Sequence, residues 1–243
     1  MPECTLKIAG HRARLTAEFE STPLYFREYL TPEPPEVHLA ATSADRQREQ
    51  QLLLEEALAE GMKPRHFGEP FLERQVFQRK MAEFLFAFDI LLLHGSTVAL
   101  DGGAYLFTAA CGTGKSTHTR LWCREFAGRA EMLNDDKPFL TLTDAGVLAS
   151  GSPWTGKHGL GRNLTLPLKG ICLLERGPKN QIRRACAGEL LPVLLHQSFC
   201  PEGQEDRLAV LVETLANRVP LWHLTCTKDP EAARVACDAM TQC

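Results

Sequence analysis

The sequence predicts an α/β fold, on three observations. Short apolar runs alternate with longer stretches of helical periodicity, as expected for strands packed against helices. A strand, a glycine-rich loop and a helix follow one another between positions 105 and 126. Just before them, an Asp101-Gly102-Gly103 turn joins two apolar runs, which is a strong hairpin signal.

Taken in order, 4–9 and 12–17 read as short strands. They are followed by a helix at 23–30 that the prolines at 32, 34 and 35 bring to an end. A further strand is expected at 37–41. The segment 43–60 reads as a helix capped by Thr42 or Ser43 and closed by Gly61 and Pro64. A second helix is expected over 71–90, with Val76, Met81, Phe84, Leu85 and Phe88 as its apolar stripe, a core pattern rather than a ligand site. Strands at 92–100 and 105–109, a helix at 115–126 with Leu121, Trp122 and Phe126 inward, and short strands at 138–143 and 146–149 follow. The rest reads as a buried strand at 168–174, helices at 187–197, 204–217 and 230–240, and a strand at 219–225. The expected organisation is a small accessory α/β region at 1–85, placed to recognise an acceptor, and a larger core at 86–243.

Apolar residues make up 44% of the chain and charged residues 23%, so an ordinary folded domain is expected and disorder is not. The net charge of −3 argues against a general binder of nucleic acid or of membrane surfaces. The first ten residues lack a charged-then-apolar signal pattern, and no run approaches the ~18 apolar residues that span a bilayer, so a cytoplasmic location is expected. The nine cysteines include no CxxC pair, which disfavours both zinc and a disulfide framework. Cys111 lies at an expected helix N-terminus, where the dipole favours thiolate.

The run Ala109-Ala110-Cys111-Gly112-Thr113-Gly114-Lys115-Ser116-Thr117 lies between an expected strand and an expected helix, the context in which a phosphate-loop motif has a mechanism. Small residues allow successive backbone N–H groups to converge on an anion at a helix N-terminus, and the dipole adds to the attraction. Residues 111–117 are thus candidates to bind the phosphates of ATP. Lys115 supplies a positive charge, and Ser116 offers a hydroxyl to Mg²⁺. Ala109 stands where the usual motif has glycine, a departure that costs energy only if that position needs positive φ or unusually close approach. Downstream, Asp135 and Asp136 end an apolar stretch. One carboxylate suits the metal and the other suits proton transfer from an attacking hydroxyl.

The succession His94-Gly95-Ser96, hairpin, CGTGKST and NDD resembles HPr kinase/phosphorylase and its relatives, whose nucleotide fold is shared with phosphoenolpyruvate carboxykinase. The resemblance covers about 91–183 and implies a carboxykinase-like nucleotide core. It also implies His94 as an active-site histidine, Lys115 and Ser116 as phosphate and metal residues, Asp136 as the catalytic carboxylate and Asp135 as its supporting neighbour on the metal side. The chain departs from the family in its downstream acidic ligand and carboxy-terminal signature loop, and is more similar to divergent kinase homologues, some of which modify small ribosomal peptides.

The expected activity is transfer of the γ-phosphoryl group of ATP, with magnesium, to a hydroxyl on a protein, a peptide or a small molecule. The resemblance permits a homo-oligomer. The alternatives are a nucleotide-binding sensor that has lost turnover and a carboxykinase-type lyase. In the glycine-rich segment 151–162, Lys157 and Arg162 are candidates to neutralise nucleotide charge. Trp154 is placed either to stack on a ring or to anchor the segment in the core, and the segment as a whole is expected to be a closing lid.

Overall fold

The computed structural model describes residues 1–59, 61–110 and 112–242. The chain divides into two compact units, Met1–Leu85 and Phe86–Cys243.

In the first unit, β1 (Glu3–Ile8) and β2 (His11–Thr16) form an antiparallel hairpin. Its turn is Ala9-Gly10, with φ of 49° and 86°. The expected helix at 23–30 is a five-residue helix α1 (Ser21–Tyr25) followed by a single 3-10 turn at Arg27–Tyr29. After the prolines, β3 (Val37–Ala40) runs parallel to β2. Helix α2 (Ser43–Ala59) begins with a reciprocal cap. The Asp45 N–H donates to Thr42 Oγ1 at 3.1 Å and the Thr42 N–H to Asp45 Oδ2 at 2.8 Å, so orphan donors are satisfied at both ends of one turn. Helix α3 (Glu69–Phe86) buries Glu73, whose carboxylate accepts the N–H of Glu18 at 2.6 Å and the hydroxyl of Thr22, tying α1 to α3. α3 is shorter than expected. The chain leaves it before Asp89, which takes a left-handed φ of 57°, and Phe88 is 44% exposed rather than part of the core stripe.

The second unit is built on β4 (Ile90–Leu92), β5 (Ser96–Leu100), β6 (Gly103–Thr108), α4 (Lys115–Glu125), β7 (Ala130–Asn134), β8 (Phe139–Thr143), β9 (Gly146–Ser150), β10 (Thr165–Arg176) and β11 (Gln181–Arg184). They are followed by α5 (Ala187–Gln197), α6 (Glu205–Arg218), β12 (Leu221–Cys226) and α7 (Glu231–Thr241). Among the described residues the strands form one sheet in the order β4-β8-β9-β10-β6-β5-β7, with β12 on β10 and β11 on β12. β6, β10 and β12 are parallel, β5 runs against β6, and β7, antiparallel to β5, points the same way as β6. The expected strand at 92–100 is two strands, β4 and β5, which pair with different neighbours.

Alternation along β6 sets the layers. Ala104 and Leu106 pack into one core with Leu190 and Leu194 of α5 and Leu208, Leu211, Val212 and Leu215 of α6. Tyr105 and Phe107 face the other side, against Leu121 and Trp122 of α4 and Ala233, Ala236 and Met240 of α7. The sheet is therefore covered on both faces, by α5 and α6 on one and by α4 and α7 on the other, an α/β arrangement. The hairpin turn is Asp101-Gly102, with φ of 48° and 79°, the double left-handed geometry that matches strand twist. Among the described residues no helix is long and apolar enough to cross a membrane.

Candidate active site

Strand register brings four segments to one end of the sheet. Ser96, at the start of β5, pairs with Phe107 near the end of β6, and Asn134, at the end of β7, pairs with Thr97. Leu173 pairs with Thr108, and β10 continues past it to Arg176. Residues 94–95, the glycine loop after β6, residues 134–136 and Arg176 thus lie together at the carboxyl end of the parallel strands, the edge where open α/β sheets bind ligands.

The glycine loop enters α4 through two left-handed residues, Gly112 (φ 73°) and Gly114 (φ 122°). Cys111, which the sequence also marks as a phosphate-binding candidate, lies outside the described residues. The first bond internal to α4 runs from the His118 N–H to the Gly114 carbonyl at 2.9 Å, so the amides before it find their partners outside the helix. Arg176 reaches across from β10. Its guanidinium donates to the carbonyls of Thr113, at 3.0 Å, and of Gly112, which turns these acceptors to one side of the loop. Lys115 is 8% exposed and donates from Nζ to the Ala109 carbonyl at 3.1 Å. Ala109 is buried in the core and does not have left-handed backbone, so its methyl group is accommodated where the usual motif has glycine. Thr117 is exposed on the first turn of α4, and Ser116 donates from Oγ to the carbonyl of Asp135 at 3.3 Å.

Asn134 shapes the acidic pair. Its side-chain oxygen accepts the N–H groups of Asp136 and Lys137 at 2.8 and 2.6 Å, and its amide donates to Ser152 Oγ at 3.1 Å. This turn separates the two carboxylates. Asp135 points inward and is 3% exposed. Its Oδ1 accepts the Gly156 N–H at 2.6 Å, whereas Oδ2 is buried without a partner. Burial, and then the charge of Asp136, push its pKa up against the pull of the Gly156 bond.

Asp136 instead meets His94, with Nε2 to Oδ1 at 3.2 Å and side chains 25% and 32% exposed, so both remain accessible to a substrate. Burial would raise the Asp136 pKa, but the His94 bond and the charges of Lys137 and Lys115 outweigh it and hold the carboxyl below its usual value. Burial, with Lys137 and Lys115, depresses His94 in spite of its carboxylate partner. The pair at neutral pH is therefore a carboxylate and a neutral imidazole. Gly95 lies where a Cβ would come within 3.2 Å of the Phe107 carbonyl, and its N–H donates to the Asp136 carbonyl at 3.0 Å.

The segment 151–162 is fastened along its length. The N–H of Gly151 donates to Leu164 at 2.9 Å, that of Arg162 to Leu133 at 2.9 Å, and that of Asp135 to Leu160 at 3.2 Å. Trp154 is 2% exposed and packs edge-on against Phe139, 6.4 Å between ring centroids. These contacts make Trp154 a core anchor instead of a stacking platform and tie the expected lid to the sheet. Arg162 pairs with Glu131 at 3.1 Å on an exposed surface, and Lys157 is exposed on the turn beside Gly156, whose N–H meets Asp135.

Several contributors escape sequence reasoning. Arg176 lies over sixty residues from the loop it holds. Lys137 follows the acidic pair directly, but a lone lysine in a turn carries no motif. Asn134 could have been found, because an Asx residue before two acidic residues and a proline-ended turn is a recognisable turn signal.

No protein-family model matches the sequence, and no curated protein matches it. Among solved structures the chain is similar to the Hpr(Ser) kinase/phosphatase from Coxiella burnetii, with 15% identity, coverage of 52% of this chain and 88% of that chain, and a TM-score of 0.30, a distant likeness.

Proposed function

We propose that the chain is a phosphotransferase that binds MgATP at the glycine loop and passes the γ-phosphoryl group to a hydroxyl held at the His94–Asp136 pair. The observation that carries this reading is the 3.2 Å pairing of His94 with an ionised, accessible Asp136 at the same sheet end as Lys115 and the N-terminus of α4. The loop supplies backbone donors and a lysine for phosphate oxygens. Asp136, oriented by His94, accepts the proton of an incoming hydroxyl as its oxygen bonds to the γ-phosphorus and the bond from that phosphorus to the β,γ-bridging oxygen breaks, with ADP as leaving group.

The residues present fit a magnesium ion. Asp135 Oδ2 is a buried acceptor without a protein partner, and the Ser116 hydroxyl lies against the same residue. Among the described residues no three His, Cys, Asp or Glu side chains gather as a cage. A short donor set is the usual provision for magnesium, which takes its remaining oxygens from phosphates and water. Ser116 and Asp135 would hold the ion, which when bound neutralises charge on the β- and γ-phosphates.

Calorimetry and ADP release, with water as the default acceptor, test the reading. Lys115→Ala is expected to weaken MgATP binding by about 2–3 kcal/mol, the scale of a charge-assisted contact. Asp136→Asn is expected to keep MgATP affinity and lower ADP release about a hundredfold. Unchanged affinity in Lys115→Ala overturns the loop assignment. Binding by the wild-type chain with no turnover above that of Asp136→Asn makes the chain a nucleotide-binding module instead.

A further inference from the structure

A cavity of about 810 Å³ opens beside the glycine loop, on the side away from the acidic pair. Its walls include Gly112 and Thr113 from the loop, Leu173 and Glu175 from β10, Val193 from α5 and His223 from β12. This volume and its mixed apolar and polar lining are those of a small-molecule site. The phosphoryl chemistry proposed above does not use it.

Helix α5 connects the two places. At its start, Arg183 binds Glu189 at 2.6 Å and reaches His223 Nδ1 at 3.0 Å. At its end, the Gln197 carbonyl accepts the His94 N–H at 2.7 Å. Eleven residues of helix extend about 16 Å, so α5 runs from beside His223 to beside His94 along the flank of the cavity. Val193 lines it midway.

The polar end of the cavity is organised. Arg183 has only protons to offer, so His223 Nδ1 is an acceptor and its Nε2 carries the hydrogen that goes to Glu175 Oε2, at 3.0 Å. His223 thereby orients a carboxylate that is 63% exposed and retains further lone pairs. A carboxylate held at the end of a parallel strand is a suitable acceptor for sugar hydroxyls.

We propose that this cavity takes the nucleoside of the nucleotide, with the base against Leu173 and Val193 and the ribose hydroxyls donating to Glu175. The triphosphate then runs along the loop toward His94 and Asp136. The inference rests on the nucleotide reading of the loop and adds where the remainder of the molecule lies. Glu175 and His223 are its specificity-determining residues, reading a ribose.

Calorimetry on the full chain separates the two readings, with three probes: MgATP, magnesium tripolyphosphate and the 2′,3′-dideoxy analogue of ATP. Val193→Trp fills the cavity and is expected to weaken MgATP about tenfold or more. It should leave tripolyphosphate within about twofold, the scale of uncoupled sites. Glu175→Gln, a surface change that leaves the fold alone, is expected to weaken MgATP about fivefold and to abolish the preference for ATP over the dideoxy analogue. MgATP affinity unchanged in both variants, or equal loss of MgATP and tripolyphosphate in Val193→Trp, overturns the nucleoside site. In the first case, tripolyphosphate binding by the wild-type chain leaves the loop assignment standing. A wild-type chain that binds none of the three probes overturns both.

Discussion

The glycine loop at 109–115 and the glycine-rich segment at 151–162 draw on the same residue types, glycine, threonine and cations, and use them in opposite ways. At Gly112 and Gly114 a Cβ would meet nothing within 4 Å, and what the glycines provide is left-handed backbone that turns amides toward the start of α4. At Gly151 a Cβ would lie 1.8 Å from the Arg162 carbonyl, and at Gly161 it would lie 2.7 Å from the Thr155 methyl. Glycine there permits close packing between backbones. The cations divide in the same way. Lys115 is buried against the loop, whereas Arg162 lies out in solvent beside Glu131. Glycine content alone therefore does not separate a loop that binds from a loop that braces.

The largest effect is expected on the bracing side. Gly151→Ala forces a methyl group into two main-chain carbonyls, of Arg162 at 1.8 Å and Leu133 at 2.9 Å, which only backbone movement relieves. A loss of about 4 kcal/mol or more in urea unfolding is expected, in the range reserved for core disruption. A loss below about 1 kcal/mol, the ordinary range for single substitutions, would mean that the segment is loosely attached, and the contrast between the two loops would collapse.

Trp154→Ala comes next, because it empties a fully buried ring site against Phe139. A loss of about 3–5 kcal/mol is expected. Saturating MgATP is expected to leave cleavage of the segment by added protease unchanged in the wild-type chain. Protection by the nucleotide would restore the lid that the composition suggested.

What was legible in the sequence follows the same division. The β6–loop–α4 passage and the Asp101-Gly102 turn are local devices whose residue types dictate backbone shape, and they were found where expected. The expected helix overruns the end of α3 because Phe88 continues its apolar spacing, and only the left-handed Asp89 and the pairing of Ile90 with Thr141 show where the helix must yield to a strand. Strand β11, Gln181-Ile182-Arg183-Arg184, carries no apolar alternation that would mark it, and among the described residues it pairs with β12 alone. At the site, the residues carrying recognisable chemistry, His94, Lys115, Ser116 and the two aspartates, could be named from their order along the chain. Arg176, Glu175 and His223 could not, because their roles depend on which strands lie side by side.

A third test addresses the helix that the glycine loop feeds. His118 on α4 is 2% exposed. It accepts the Trp122 indole N–H at Nε2, at 3.1 Å, and its Nδ1 is buried without a partner. Burial pushes its pKa from 6.5 down to about 4. The unfolded chain takes up this proton near pH 6.5 and the folded chain does not, so stability is fully present above that pH and is lost as pH falls toward 4. The loss amounts to about 3 kcal/mol at the acid end. His118→Gln keeps an acceptor for Trp122 and removes the titration. Its unfolding free energy is expected to fall less steeply between pH 7 and pH 4.5, by about 2 kcal/mol. An identical slope would place the acid sensitivity in other groups.

The smallest change in stability belongs to the glycine loop, and there binding is the sharper readout. Gly112→Ala places a side chain on left-handed backbone at φ 73° with no steric contact, so the expected loss is about 1 kcal/mol from strain alone. Gly203, in the turn before α6, has nearly the same φ of 72° and the same open surroundings, yet lies in a different part of the chain. Gly203→Ala is thus a matched control, with the same strain and the same expected loss of stability. The two variants are expected to differ in MgATP affinity. Strain at Gly112 is relieved by turning the loop amides away from the anion, which should weaken binding about tenfold, the worth of one good hydrogen bond to a charged group. Strain at Gly203 should leave affinity unchanged. If both variants bind MgATP like the wild-type chain, the loop does not hold phosphate through its backbone, and its glycines serve shape alone.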